Sequence, residues 1–198
     1  LWDDFNYTGP SDGNLTGMGW VARNEPNSGP GPSGADFVPG NISFVNDPSL
    51  SGNRLMQMRV VTSGTGASTT QSELYTGTRK FLEGTYAARM YFTDAPISGS
   101  YDGDEIVETF FTITPLAFDL DPAYSENDFE YLANGGWGQS GPTLWNTTWE
   151  TYRPDPWLKD GISDFRSGSI AGWHTLVMTV SGGHVKYYLD GTLLADHS

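Results

Sequence analysis

The stretch Tyr124-Ser-Glu-Asn-Asp-Phe-Glu-Tyr-Leu132 carries acids at alternate positions, Glu126, Asp128 and Glu130. In an extended strand, side chains alternate between the two faces. The three acids then share one face, and Asn127, Phe129 and Tyr131 share the other. Like charges side by side repel and gain nothing for folding. Chemistry offers a reason for them. Cleavage of a glycosidic bond with retention of configuration needs two carboxyl groups roughly 5 Å apart. Four residues of strand span roughly 13 Å, a gap that two long Glu side chains leaning together can narrow. Close like charges also push titrations apart, so one Glu can stay ionised as nucleophile while the other holds a proton as acid. Asp128 between them can orient the nucleophile, and the group would titrate as a coupled set. With 8 Glu and 16 Asp in 198 residues, composition alone produces few such patterns; about 0.03 occurrences of Glu-x-Asp-x-Glu are expected by chance. The non-catalytic readings are a solvated acidic edge strand, or three ligands for a hard cation such as calcium.

The elements that must hold this strand read as β throughout. Residues 1–50 form short extended pieces between turns, with a Gly- and Pro-rich loop over residues 27–35. Strands are predicted over Leu55–Val61, Thr85–Thr93, Glu105–Thr114 and Glu126–Leu132, with a polar loop over Ser63–Thr70. Residues 135–170 show little periodicity and are expected to be a long Trp- and Pro-rich loop. Trp173–Val180 and His184–Leu189 read as a hairpin across Ser181-Gly-Gly, with Asp190-Gly191 as the next turn. No helix of three or more turns is expected. This spacing points to an all-β, antiparallel β-sandwich.

Composition agrees. The chain has 25 Gly and 12 Pro with 7 Trp, 10 Tyr and 10 Phe, which suits short strands and many turns around an aromatic core. One domain spanning 1–198 is expected. The formal charge of −14 repels nucleic acid and anionic lipid and favours a neutral over a sulfated or uronic polysaccharide. The absence of cysteine excludes a disulfide scaffold, a thiol nucleophile and thiolate metal sites. No apolar run is long enough for a transmembrane helix. A start at Leu1 fits a mature protein after signal removal, and sequons at Asn6, Asn14, Asn41 and Asn146 fit secretion.

Further candidates surround the acids. Trp137, Trp145, Trp149, Tyr152 and Trp157 follow the acidic strand, and flat sugar C–H faces stack on such rings. Their alternative role is to anchor an irregular loop to the core. Trp137, nearest the acids behind Gly135-Gly136, leads this group. Glu108, on a strand face with Ile106 and Phe110, is a candidate for lining the cleft, or a rim charge. The run Asp102-Gly-Asp-Glu105 reads as a solvated turn rather than a complete cation cage. His174 is expected to make a structural hydrogen bond, because no Gly-x-Ser-x-Gly accompanies it and the three histidines lack metal-ligand spacing.

Glu126-x-Asp128-x-Glu130 resembles the active-site motif of glycoside hydrolase family 16. Around it, residues 84–92 resemble the family's Gly-x-Tyr-x-Ala-Arg strand, Ile106 to Thr114 the apolar strand before the catalytic one, and Trp173 to Gly191 the hairpin that follows. Trp2-Asp-Asp-Phe5 resembles its first strand. The resemblance implies a jelly-roll, concanavalin A-like sandwich with a cleft on its concave sheet and retaining hydrolysis of β-linked glycans. By position, Glu126 would be the nucleophile, Asp128 the assisting acid and Glu130 the acid/base. It implies a β-1,3 or mixed-linkage glucan as substrate, a secreted monomer, no required cofactor, and room for a structural calcium ion. Two departures stand out. Asn127 replaces an aliphatic residue, and the chain ends at Ser198, soon after Asp190-Gly191. A domain truncated at its C-terminus, a separate second fragment or an unusual minimal domain would each account for this ending. The rival readings are a lectin-like carbohydrate-binding sandwich and a structural surface domain whose acids hold calcium.

Overall fold

The computed structural model describes residues 1–79, 81–99 and 105–198. The Asp102–Asp104 part of the acidic turn lies outside them. Contacts group the chain into two compact units, Leu1–Lys80 and Phe81–Ser198. Among the described residues no helix is long and apolar enough to cross a membrane.

The first unit is built from short pieces. Helix α1 (Gly13–Gly17) is capped by Asp12, which accepts from Asn14 N. Strands β1 (Trp20–Ala22), β2 (Asp36–Phe37), β3 (Ile42–Asn46), β4 (Arg54–Met58), β5 (Thr70–Gln71) and β6 (Leu74–Thr76) pair as β1 with β6, β2 with β5 and β3 with β4. Tyr7, Leu15, Ile42 and Phe44 form its core. The Trp2–Phe5 segment is not a strand. Asp3 ties it down instead, accepting from Phe5 N at 2.8 Å, Tyr7 Oη at 2.6 Å and Trp20 Nε1 at 2.7 Å. A carboxylate that collects three donors fixes a local knot without any ladder pairing.

The second unit is a sandwich of two four-stranded antiparallel sheets. The first sheet runs β11-β10-β9-β8, with β8 Val107–Ile113, β9 Glu126–Leu132, β10 Thr143–Arg153 and β11 Leu158–Ser167. The second runs β14-β13-β12-β7, with β7 Gly84–Phe92, β12 Gly172–Ser181, β13 His184–Leu189 and β14 Thr192–His197. Phe92, Phe129, Tyr131, Leu144, Leu176, Met178, Tyr187 and Leu189 fill the space between them. Rings from opposite sheets meet edge to face, Phe129 on Tyr187 at 5.1 Å and Phe92 on Tyr131 at 5.4 Å.

The expected hairpin forms with Ser181 opposite His184, and Gly182 and Gly183 both take positive φ, as a two-residue turn between twisted strands requires. His174 makes its structural bond, Nδ1 lying 2.6 Å from Asp190 at the following turn. The main correction concerns residues 135–170, which are mostly two long paired strands, β10 and β11. The core-facing side of β10 carries Leu144 but also Asn146 and Thr148, all buried. Polar residues on the inward face erased the alternation that marks a strand. Thr148 is accommodated by a buried network, whereas Asn146 Oδ1 is buried without a hydrogen-bond partner among the described residues. Thr148 Oγ1 lies 2.8 Å from Tyr187 Oη and 2.9 Å from His197 Nδ1, and Tyr187 Oη donates to the Thr147 carbonyl at 2.7 Å. Burial of Asn41 and Asn146 leaves only Asn6 and Asn14 of the four sequons exposed.

Candidate active site

Strand β9 lies between β8 and β10, and its register fixes what faces the acids. Across on β10, Trp149 opposes Glu126, Thr147 opposes Asp128 and Trp145 opposes Glu130. Across on β8, Ile113, Phe111 and Thr109 stand opposite the same three residues. The opposite face of β9 sends Phe129 and Tyr131 into the sandwich core. Glu126, Asp128 and Glu130 thus share the face turned away from that core, flanked by large rings from both neighbouring strands.

Each acid has a different setting. Glu126 is half-buried and accepts a short hydrogen bond from Tyr124 Oη. Asp128 is 3% exposed and accepts from Trp149 Nε1 at 2.8 Å. Among the described residues, no donor reaches the half-buried Glu130 carboxyl. Burial raises the proton affinity of all three, because a low-dielectric setting disfavours the charged form. Burial first, then the charges of Glu126 and Glu130, pushes Asp128 up to about 9. Burial and the charge of Glu126 push Glu130 up to about 7. Glu126 is also raised by burial, against the opposing pull of the Tyr124 bond and of Lys159. Asp128 therefore keeps its proton at neutral pH and Glu130 exchanges its own near that pH, while the Tyr124 bond and the Lys159 charge oppose the effect of burial at Glu126.

Aromatic residues line both ends of the trio. At the Glu126 end, Trp149, Tyr152 and Trp157 form a mutually packed cluster, with centroids 5.9–6.0 Å apart. At the Glu130 end, Trp145 packs on Phe165 at 4.9 Å and on Trp137 at 6.1 Å. Trp137 is 49% exposed on a tight turn whose Gly135 has φ 78 and no room for a Cβ, with the Gln139 carbonyl oxygen 2.5 Å from that position. Trp145 Nε1 is buried without a hydrogen-bond partner among the described residues.

The structure brings Glu126, Asp128, Glu130, Trp145 and Trp149 onto one face and corrects two expectations. Glu108 opposes Tyr131, so its side chain lies on the face away from the acids and accepts from Thr93 N at 3.2 Å. One-residue alternation decides this, because Thr109, not Glu108, is in register with Glu130. Trp149 is no free stacking platform: its N–H is taken by Asp128 and Lys159 Nζ lies 4.2 Å from its ring centroid. Tyr124 and Lys159 were not foreseen. Tyr124 had a signal, lying two residues before Glu126, whereas Lys159 arrives only through β10–β11 pairing. Among the described residues no group of three or more His, Cys, Asp or Glu side chains converges to hold a metal ion.

Among solved structures the chain is similar to a glycoside hydrolase family 16 endo-glucanase from Bacteroides ovatus, with TM-score 0.68 and 12% identity over 98% of this chain and 76% of that one. It is similar to a β-glucanase from Bacillus licheniformis at TM-score 0.60 and 16% identity, over 89% and 70% of the two chains. LamA from Z. galactanivorans, solved with laminaritriose and laminaritetraose, matches at TM-score 0.58 and 15% identity, over 100% and 79%. No protein-family model and no curated protein matches the sequence. At such identities the likeness speaks to fold, and the chain has the fold of the glycoside hydrolase family 16 endo-glucanases.

Proposed function

We propose that this protein hydrolyses β-glycosidic bonds in a neutral glucan with retention of configuration. One observation carries the reading: three acids on one strand face, Asp128 buried and Glu126 and Glu130 half-buried, two with dedicated donors and one without, set between aromatic clusters. Glu126, steadied by Tyr124, attacks the anomeric carbon as the glycosidic bond breaks. Glu130 passes its proton to the leaving oxygen. Water then attacks the glycosyl ester on Glu126, gives its proton to Glu130, and releases Glu126 as carboxylate. Asp128, neutral and held by Trp149, lies between the two and can donate to the Glu126 carboxylate. The glucanases that share the fold favour a β-1,3 or mixed-linkage glucan. The reading needs no metal or organic cofactor and suits a secreted monomer acting on polymer.

The test is release of reducing ends from a panel of β-glucans, galactans and xyloglucan, with NMR of the anomer first formed. Release with retention, abolished by Glu126→Ala and by Glu130→Gln, supports the proposal. Glycan binding without release overturns it in favour of a binding sandwich.

A further inference from the structure

Lys159 lies on β11, opposite Tyr152 in the β10 register. Its Nζ donates to Ser163 Oγ at 2.6 Å and sits 4.2 Å from the centroid of Trp149. Ser163 Oγ in turn donates to Thr147 Oγ1 at 3.2 Å, and Thr147 opposes Asp128. Lys159 forms no ion pair within 4.0 Å among the described residues, yet it is only partly exposed in a chain with 10 Lys and Arg against 24 Asp and Glu. An ammonium half-withdrawn from water without a direct counter-ion costs stability. A surface lysine with no role would extend into solvent.

We propose that Lys159 is a positioning residue for the three acids: it clamps the Trp149 ring whose N–H holds Asp128, and supplies positive charge to Glu126, Asp128 and Glu130 together. The proposal rests on the hydrolytic reading above. A cation over an indole face is attracted to the ring and fixes its plane. That plane decides where Nε1 points, and so which rotamer Asp128 keeps. The titratable groups that act on the acids are few. Tyr124 precedes β9, Tyr152 comes from β10 and Lys159 from β11, while Tyr187 acts on Asp128 and Glu130 from the core side of the sheet. Lys159 is the only cation among the described residues that acts on all three acids, lowering the proton affinity of each. Without it, Glu126 would hold its proton to higher pH and be a nucleophile over a narrower range.

The test compares wild type, Lys159→Met and Lys159→Arg. Side-chain carboxyl titrations are followed by carbon NMR, and kcat and KM are measured against pH. Removing the charge is expected to move the carboxyl titrations and the acid limb of kcat upward by about 0.5–1 in pH, and to lower kcat about tenfold with KM within about twofold. Lys159→Arg is expected to restore the titrations and the limb. If Lys159→Met lowers activity or melting temperature but leaves titrations and limbs in place, or changes nothing, the proposal is overturned. If wild type releases no sugar, the hydrolytic reading fails, and the carboxyl titrations still decide whether Lys159 governs the acids.

Discussion

Trp149 stands opposite Glu126 in the strand register but donates its indole N–H to Asp128, at 2.8 Å. The bond runs diagonally across two strands and gives the middle acid a fixed partner. It moves Trp149 from the sugar-stacking residues to the residues that hold the acids. Trp149→Phe keeps most of the apolar surface and removes the donor. In steady-state kinetics it is expected to lower kcat about tenfold with little change in KM, the loss of roughly one hydrogen bond in the transition state. A rise in KM alone would return Trp149 to the binding surface.

Trp137 provides the contrast. It is 49% exposed and packs on Trp145 at the Glu130 end. Trp137→Ala is expected to raise KM for oligosaccharides about fivefold, since stacking on one exposed ring is worth about 1 kcal/mol, and to leave kcat nearly unchanged. Equal losses in kcat and kcat/KM would contradict this assignment.

Activity should fall as Glu130 loses its proton, a group that burial and Glu126 push up to about 7. The basic limb of kcat/KM is therefore expected near that pH. Variants that keep some turnover should move it in a fixed direction. Removing the Lys159 cation shifts the limb up, because that charge favours ionised Glu130. A basic limb above about pH 9 would point to a different acid.

Asp128 should tie stability to pH. Its proton affinity rises from the ordinary 3.8 to about 9 on folding, chiefly through burial. The folded protein then binds more protons than the unfolded chain between those values. This residue's contribution is fully present below about pH 4 and is lost as pH rises through about 9. Asp128→Asn keeps an acceptor for Trp149 without the charge. It is expected to stabilise the protein by about 1–3 kcal/mol near pH 8, and by little near pH 4, in denaturant unfolding. Equal effects at both pH values would rule out burial of the charge as the cause.

Gly161 is a simple test of the strand pairing that delivers Lys159. A Cβ at Gly161 would fall 2.4 Å from the Thr148 carbonyl oxygen, which is backbone and cannot turn aside. Gly161→Ala is expected to cost about 2–4 kcal/mol in denaturant unfolding. A cost below about 0.5 kcal/mol would show that β11 shifts freely against β10.

Much of this protein was legible in the residues alone. Alternation by itself placed Glu126, Asp128 and Glu130 on one face and Phe129 and Tyr131 on the other, because a strand leaves a side chain no other choice. The turns at Gly182-Gly183 and Asp190-Gly191 followed from residues that tolerate positive φ. Strands β10 and β11 did not, because Asn146, Thr148 and the polar β11 residues carry no apolar period; Tyr187 and His197, which bond Thr148, lie on other strands. For Glu108 the residues alone allow a cleft-lining place or a rim charge, because sequence cannot say which face of one strand meets which face of the next. Only pairing decides that, and it places Thr109 beside Glu130 and Lys159 over Trp149. The chain dictates which residues share a face. Which faces meet, and which acid keeps its proton there, is decided by packing that joins residues far apart in sequence.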